Sequence, residues 1–369
     1  MHNDRLSLSQ TDKILVSEQS LRRTVSAIFK KLGVCADDAD EAAGVLVTSD
    51  LRGVESHGVS NMLRAYVADY QSGKIKPDAN WRIKRESAAT AVVDAAQQLG
   101  IIVGPKAMRL AIAKANHTGV GVITMYNSGH LGAIGHFAML AIEHDMVGVC
   151  MSTSHSSRLT VVPTFASKPM FGTNPIAIAA PADKEAPFLF DAATSVVSVN
   201  KLRLAARSGA SMAPGWVADR QGRPITDEIH ADEPDHFFLL PLGGTREQGS
   251  HKGYGLMMMA EIMSTLLSGD LPHLLESSSN AKSYFAAYRI SAFTDVDRFK
   301  TTMDRMLGAL RTTAPSEGHE RVFYPGLLEF EEMKHRRAHG IPLHHEVIDW
   351  FSKITADMSL PALCLLDRC

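Results

Sequence analysis

Cysteine is scarce in this chain of 369 residues. The four cysteines, Cys35, Cys150, Cys364 and Cys369, lie far apart and have no paired spacing, which is typical of a reduced cytosolic protein. Long apolar runs are also lacking, because none approaches the roughly 18 residues that span a bilayer. Residues 1–5 are polar and have no apolar signal-peptide core. We therefore expect a cytoplasmic protein that does not enter a membrane.

An excess of charge of one sign is lacking as well. The formal net charge of −2 gives no general field that would attract nucleic acid or an anionic membrane, so we expect neither partner. The hydrophobic fraction of 45% and the charged fraction of 21% are ordinary for a soluble protein. The length allows two or three domains of roughly 100 to 200 residues each. Any anionic ligand must therefore be held by local groups.

The common nucleotide and hydrolase motifs are missing too. No Gly-x-Gly-x-x-Gly follows a strand and opens a helix, and the nearest match, at residues 119–121, precedes its strand. This argues against an ordinary Rossmann domain. No Gly-x-Ser-x-Gly elbow is present, and adjacent helical residues such as Ser56 and His57 point about 100° apart. Hydrolysis is therefore disfavoured.

Metal binding is not expected either, although the chain has 16 histidines. The central histidines are not spaced as a ligand set, and His344 and His345 have no carboxylate or cysteine at suitable spacing. The sequence predicts no metal site.

Apolar spacing predicts a layered α/β protein. Helices are predicted at 17–33, 36–52 and 57–72, and from about residue 88 short apolar strands alternate with helices. The Gly-, Pro- and Asp-rich stretch 208–249 is predicted as a long surface loop, and 342–358 as a closing helix.

The most informative stretch is residues 50–58, DLRGVESHG. An imidazole can carry a proton near neutral pH, and a guanidinium can grip a carboxylate with two parallel hydrogen bonds. His57 and Arg52 would therefore suit the oxidation of a hydroxy acid. The alternative is that Arg-Gly and His-Gly merely end helices, where glycine permits positive φ.

Further polar clusters follow predicted strands. His130, in the cluster 127–133, lies at a strand-to-helix turn, where an oxyanion or a phosphate can be received, although Asn127 or Ser128 could simply cap the helix. The cluster 152–157 ends the next strand at the same predicted sheet edge, and open α/β sheets bind ligands there. Asp191 and Lys252 could contact a ribose and a phosphate, or could be a helix cap and an exposed lysine.

Read in order, seven blocks resemble the type 2 malate/L-lactate dehydrogenase family, which includes malate, sulfolactate, ureidoglycolate and diketogulonate enzymes and a cyclic-imine reductase. The blocks are DLRG–SHG at 50–58, NSGHLG at 127–132, GTNP at 172–175, DAATS at 191–195, GW at 215–216, KGYGL at 252–256 and YPG at 324–326. The resemblance covers about residues 16–350. Their matching order is more specific than any single block.

The resemblance implies an α/β fold with a non-Rossmann nicotinamide-binding domain, a mixed sheet flanked by helices, at 81–294. It also implies a second domain built from both chain ends, 1–80 and 295–369, for substrate binding and dimerisation. The expected assembly is a homodimer whose active site takes residues from both subunits. The expected cofactor is NAD or NADP.

The resemblance also implies roles for individual residues. His57 matches an acid/base histidine, with Ser56 and Asp191 as its relay, whereas His130 matches a competing proton acceptor. Arg52 matches a ligand of the substrate carboxylate. The remaining predicted substrate-binding residues are Asn61, Arg64, Thr173 and Asn174. The predicted cofactor-binding residues are Ser154, Asp191, Ala192, Ala193, Lys252, Gly253, Pro325 and Gly326.

Two departures from the family pattern matter. The arginine that many members carry three or four residues after the histidine is absent, so either Arg64 replaces it or the carboxylate contact is weaker. The familiar Pro-Gly-Glu becomes Pro-Gly-Leu at 325–327, which affects the contact to the adenosine side of the cofactor.

These observations predict an NAD(P)-dependent enzyme that transfers hydride between nicotinamide and a small 2-hydroxy or 2-oxo acid, such as malate, lactate or sulfolactate. We expect His57 and Arg52 to share one cavity with the nicotinamide. The alternatives are a reductase of cyclic imino acids and a nucleotide-binding protein without turnover.

Overall fold

A computed structural model describes residues 13–153, 159–230, 236–277 and 280–366, without the side chains of Leu204, Arg207 and Ser208. Ser154, a predicted cofactor contact, lies outside the described residues. The described helices are α1 (Glu18–Lys31), α2 (Ala36–Leu51), α3 (Arg64–Gln71), α4 (Gly100–Thr118), α5 (Gly135–Ile142), α6 (Val199–Ser208), α7 (Ser250–Ser264), α8 (Val296–Arg311), α9 (Leu327–His339) and α10 (His345–Asp357). The described strands are β1 (Lys13–Val16), β2 (Arg82–Glu86), β3 (Thr90–Asp94), β4 (Val120–Ser128), β5 (Met146–Ser152), β6 (Ile176–Ala180), β7 (Phe188–Ala192), β8 (Ser211–Met212), β9 (Val217–Ala218), β10 (Ile229–His230), β11 (Phe238–Leu239), β12 (Ala281–Arg289) and β13 (Ile341–His344).

A seven-stranded sheet of order β2-β3-β4-β12-β5-β6-β7 forms the centre of the protein. Strands β3 and β4 are parallel and are joined by α4, as in a βαβ unit, whereas the other neighbouring pairs are antiparallel. The predicted mixed α/β sheet flanked by helices is therefore confirmed.

Alternate residues of the sheet face two different helical layers. Phe285 on β12 packs with α4 and α5, whereas Tyr284 and Ala286 on the same strand pack with α7. Two glycines allow the helices to lie close to the sheet. A Cβ at Gly121 on β4 would lie 1.9 Å from the carbonyl oxygen of Ala111, and one at Gly148 on β5 would lie 2.1 Å from that of Ala138.

The two described ends of the chain meet on one side of this core. Strand β1 pairs antiparallel with β13, so Lys13 lies opposite His344. The apolar faces of α1, α2 and α10 belong to the same buried cluster as one face of the sheet. The helix predicted at 342–358 is therefore wrong at its start, where residues 341–344 form a strand before α10 begins.

The predicted long surface loop is wrong as well. Residues 208–249 contain the short strands β8 to β11, which pair as β8 with β10 and β9 with β11. Met212, Val217 and Leu239 lie in a separate apolar cluster together with Met257 of α7. The turn-rich composition thus belongs to a small packed unit on the α7 side of the sheet.

Two sequence expectations concern the environment of the chain. Among the residues that the structure describes, no helix is both long and apolar enough to cross a bilayer. Cys35 and Cys150 are free thiols, whereas Cys364 is disulfide-bonded, so the expectation of a fully reduced chain is wrong at Cys364.

Candidate active site

The loop that carries Arg52, Ser56 and His57 is folded around a buried carboxyl group. Helix α2 ends at Leu51, a 3₁₀ turn spans Glu55–His57, and a π-helical turn at Val59–Leu63 leads into α3. Asp50 Oδ2 accepts a 2.8 Å hydrogen bond from the Val59 N–H. A Cβ at Gly58 would lie 2.0 Å from Asp50 Oδ1, so only glycine fits there. Burial raises the pKa of Asp50 to about 8.

Arg336 of α9 holds the same loop from outside. Its guanidinium donates to the Asp50 carbonyl oxygen at 2.7 Å, to Glu55 Oε1 at 2.9 Å and to Glu332 Oε1 at 2.5 Å. We call these contacts the Arg336 clamp. Arg336 is only 4% exposed, and its charge is balanced by the two carboxylates. The clamp therefore fixes the backbone on which the candidate catalytic residues stand.

His57 and His130 form a stacked pair of imidazoles. Their ring centroids are 5.7 Å apart and the rings are inclined by 20°. Ser56 Oγ lies 2.9 Å from His57 Nδ1. Burial lowers the pKa of His57, so the ring is neutral at neutral pH. The structure thus brings together two residues that the sequence placed 73 positions apart.

A tyrosine that the sequence analysis missed completes this group. The Tyr66 hydroxyl, on α3, lies 2.6 Å from His130 Nδ1. The phenol is 2% exposed. In the sequence, Tyr66 and Tyr70 are spaced one helical turn apart and suggest only an apolar helix face. The single available signal was that Tyr66 lies in the same helical segment as His57.

Arg52 and Asp191 lie in a separate cavity of about 310 Å³. It is bounded by the end of α2, the start of α5, strand β7 and the turn before α9, and it is lined by Thr48, Ser49, Arg52, Val54, Ala133, Gly135, His136, Leu189, Phe190, Asp191, Phe323, Tyr324, Pro325, Gly326, Leu328 and Glu329. We call it the Arg52 cavity. Ser56, His57 and His130 are not among its lining residues. We expected His57 and Arg52 to share one cavity, but of these two residues only Arg52 lines this one.

The guanidinium of Arg52 is buried and has no partner among the residues that the structure describes. Arg52 is 7% exposed, yet within the described ranges its side chain makes no hydrogen bond and no ion pair. Burial lowers its pKa, although Glu329 and Asp191 nearby act in the opposite direction. A guanidinium has five N–H donors and stays charged in proteins. A buried cation with unused donors at a cavity wall is able to hold an anion.

Asp191, Glu329 and His136 are further titratable residues that line this cavity. Asp191 Oδ2 accepts a 2.7 Å hydrogen bond from the Gly135 N–H at the start of α5 and is not bonded to His57. Although Asp191 is exposed to the cavity, desolvation by the protein around it raises its pKa to about 6. Burial, together with the positive charges of nearby arginines, lowers the pKa of His136 to about 4, so its ring is neutral.

The other predicted substrate residues lie elsewhere in the chain. The Arg64 guanidinium stacks 5.5 Å above the ring of Trp350. Asn61 Nδ2 donates to the Glu55 carbonyl oxygen at 2.7 Å and so supports the loop. The carbonyl oxygen of Thr173 accepts from Thr194.

Asn174 is not exposed at all, and its amide group donates to Glu261 Oε2 and to the Met257 carbonyl oxygen on α7. No part of its side chain reaches solvent in this structure, and the substrate contact of Asn174 stays a prediction.

Some of the predicted cofactor-binding residues line the Arg52 cavity, and others lie outside it. Asp191, Pro325 and Gly326 line the Arg52 cavity. Ala192 and Ala193, both half-buried, follow Asp191 at the end of β7. Lys252 is exposed on the first turn of α7, and Gly253 packs against the backbone of Leu242, where a Cβ would lie 2.3 Å from the carbonyl oxygen. Neither Lys252 nor Gly253 lines the cavity.

One metal-like cluster also differs from expectation. His344, His345 and Glu346 offer ligand atoms within 4.8 Å of one another, so the expectation that the two histidines lack a carboxylate neighbour is wrong. His344 Nδ1 already accepts the Glu346 N–H as the N-cap of α10. In the described part of the chain, His344 therefore caps the N-terminus of α10.

The protein thus combines a mixed α/β fold, a buried guanidinium at a cavity wall and a separate pair of stacked imidazoles, which are groups that can hold an acid and carry a proton. The family model for malate/L-lactate dehydrogenase matches residues 16–352, and the chain belongs to this family.

Individual relatives match over almost the whole length. Malate dehydrogenase of Pyrococcus abyssi (strain GE5 / Orsay) is 36% identical over 359 residues, covering 95% of this chain and 96% of that protein. Ureidoglycolate dehydrogenase (NAD(+)) of Escherichia coli O157:H7 is 29% identical over 334 residues, covering 88% and 90%. The solved structure of malate dehydrogenase from Pyrococcus horikoshii OT3 superposes with a TM-score of 0.86 at 35% identity, covering 97% of this chain and 99% of that one.

Proposed function

We propose that this protein is an NAD(P)-dependent oxidoreductase that transfers hydride between nicotinamide and a small 2-hydroxy or 2-oxo acid. The observation that carries the proposal is the buried, unpaired guanidinium of Arg52 at the wall of a cavity. Family membership supports the reaction class, since relatives are named malate dehydrogenase and ureidoglycolate dehydrogenase (NAD(+)).

The Arg52 cavity fits the reactive end of such ligands. Its volume lies at the lower end of the roughly 300–1,000 Å³ of small-molecule pockets. Asp191, Pro325 and Gly326 would hold the cofactor, together with the exposed Lys252 and the residues after β7, Ala192 and Ala193. When bound, the reduced cofactor supplies the hydride. The cavity leaves the choice between NAD and NADP open.

The chain's own residues would position the acid and move the proton. Arg52 would hold the carboxylate through two parallel hydrogen bonds, which fixes the direction of the carbonyl group. His57 would give a proton to the carbonyl oxygen during reduction and take it back during oxidation, with Ser56 as its neighbour. His130 would lie against the same oxygen.

We further propose a homodimer in which each active site uses residues of both subunits. Its support is that the imidazole pair and the Arg52 cavity are separate within one chain. Helix α7 also exposes large apolar side chains, which a second copy would cover. They are Leu256, Met258, Met259 and Ile262.

The domain division is part of the proposal. Residues 81–294 would form a non-Rossmann cofactor domain, and 1–80 with 295–369 would form the substrate and dimerisation domain. The pairing of β1 with β13 supports a unit built from both chain ends.

The His57→Asn variant tests the proposed reaction. Pyruvate, oxaloacetate, sulfopyruvate and a cyclic imino acid are each supplied with NADH and with NADPH, and loss of absorbance of the reduced cofactor is measured. With its preferred 2-oxo acid, His57→Asn should lose about 10²- to 10⁴-fold in kcat, because a general acid contributes that much. Cofactor affinity, measured by fluorescence quenching, should stay within about twofold of wild type.

Three outcomes would contradict the proposal. Equal loss of cofactor affinity and turnover would show that His57 has a structural role. Oxidation of cofactor by the imino acid alone would indicate an imine reductase. Cofactor binding without turnover of any substrate would indicate a silent nucleotide-binding protein.

A further inference from the structure

The hydroxyl group of Tyr66 has a single acceptor. Its oxygen lies 2.6 Å from His130 Nδ1, and no other hydrogen-bond partner of this hydroxyl exists among the described residues. At 2% exposure the phenol does not reach bulk water. Burial raises the pKa of Tyr66, so the phenol keeps its proton. A buried hydroxyl that directs its hydrogen at no acceptor is destabilising, so this hydrogen is directed at Nδ1.

The direction of this hydrogen bond decides the protonation of His130. A nitrogen that accepts a hydrogen bond carries no proton itself, so in this geometry the ring proton of His130 lies on Nε2. Ser56 differs from Tyr66 in this respect. Its side chain is half-buried and can exchange partners with water, so His57 can carry its proton on either nitrogen.

The stacking of the two rings favours the same arrangement. The ring centroids of His57 and His130 are 5.7 Å apart, so two imidazolium ions here would repel each other. Protonation of one ring therefore disfavours protonation of the other. A phenol that donates to His130 Nδ1 opposes protonation of His130 and leaves His57 as the ring that changes charge.

We propose that Tyr66 is a positioning residue that locks His130 in its Nε2–H form, so that His130 donates a hydrogen bond to the substrate carbonyl oxygen while His57 alone carries the proton. This inference rests on the proposed function. It assigns different roles to two histidines that the sequence left in competition, since a ring with both nitrogens committed in this way cannot take the substrate proton.

Nitrogen-15 NMR of the histidine side chains in the purified wild-type protein tests the tautomer of His130 directly. The His130 signals are identified by their absence from His130→Gln. We expect an unprotonated Nδ1 and a protonated Nε2 that persist between about pH 6 and pH 8. A protonated Nδ1 in the wild-type protein would overturn the proposal, whether or not any Tyr66 variant folds.

Tyr66→Phe and a matched control test the role of the hydroxyl. Tyr70 lies one turn later on α3, is 7% exposed, and donates to Gln98 Oε1 at 2.7 Å instead of to a histidine. Tyr66→Phe should change the His130 nitrogen signals toward a mixture of tautomers and lower kcat about tenfold, the value of one hydrogen bond. Tyr70→Phe should lose similar stability but keep the wild-type His130 signals and kcat.

The outcomes separate this inference from the proposed function. If Tyr66→Phe keeps both the wild-type His130 signals and the wild-type kcat, Tyr66 does not position His130. If both variants alter the signals equally, the effect is general loosening of α3, and the assigned role is also wrong. If wild-type protein turns over no 2-oxo acid, the proposed function fails, while the NMR result still decides the tautomer.

Discussion

The Arg336 clamp and the Arg52 cavity each contain one buried arginine, and both border the loop that follows α2. Arg336 is 4% exposed and donates to three acceptors, whereas Arg52 is 7% exposed and donates to none in the described chain. The two arginines are thus almost equally buried, but among the described residues only Arg336 has hydrogen-bond partners. A buried, fully paired cation stabilises a fold, and a buried cation with free donors is available to a ligand. Pairing, more than burial, distinguishes the two roles.

Breaking the clamp should have the largest effect on stability. We expect Arg336→Met to lower the free energy of unfolding by about 3–5 kcal/mol, because it leaves Glu55 and Glu332 beside an apolar side chain and frees the Asp50 carbonyl oxygen. Urea denaturation followed by fluorescence measures the change. A loss below about 1 kcal/mol would mean that the clamp is equivalent to a surface ion pair.

The matching change in the cavity should act on binding instead. Arg52→Met should raise KM for the 2-oxo acid about 10- to 100-fold, since hydrogen bonds to charged groups contribute roughly 1.5–3 kcal/mol. Its thermal midpoint should equal or exceed that of wild type, because an unpaired buried charge is removed. A dicarboxylate such as oxalate should raise the midpoint of wild type but not of Arg52→Met. A midpoint lowered as far as in Arg336→Met would erase the distinction between the two arginines.

The third comparison concerns pH and the carboxyl group beside the clamp. The pKa of Asp50 is raised to about 8 in the folded protein by burial, with Glu55 acting in the same direction and Arg336 against it. The folded state therefore binds this proton more tightly than the unfolded state does. Its contribution to stability is complete below the ordinary pKa of about 4 and is lost as pH rises through about 8.

Asp50→Asn removes this titration but can keep the hydrogen bond from the Val59 N–H. We expect its unfolding free energy to fall less steeply between pH 5 and pH 8 than that of wild type, by up to about 1.4 kcal/mol per pH unit. Denaturation series at four pH values measure the slopes. Parallel slopes would show that Asp50 does not take up a proton on folding.

Local pattern was enough to predict most elements that position the site. The spacing of Leu21, Val25 and Phe29 predicted α1, and all three side chains are fully buried. The strand β13 was predicted as helix because its four residues are too few to show alternation. Its partner β1 lies more than 300 residues away in the chain, so the pairing that fixes it is not visible locally.

The candidate site was predicted unevenly for a similar reason. Polar groups that interrupt apolar segments at turns are conspicuous in a sequence. For this reason the pattern indicated Arg52, His57 and His130 as candidate site residues. Tyr66 was missed because a tyrosine on a helix face suggests packing, and its role depends on a loop 64 residues away. The packing of Asn174 was not predicted, because the side chain donates to Glu261 of α7, 87 residues away in the chain.

The glycines that bring α4 and α5 onto the sheet have a consequence for redesign of this enzyme. Since Gly121 and Gly148 leave no room for a methyl group, the elevation of both helices above the strands depends on these two glycines. The start of α5, and with it the Gly135 N–H that holds Asp191, inherits that elevation. Variants designed to change substrate specificity should therefore keep glycine at positions 121 and 148. An alanine at either position would push its helix away from the sheet, and a displaced α5 would move the cavity wall that holds Asp191.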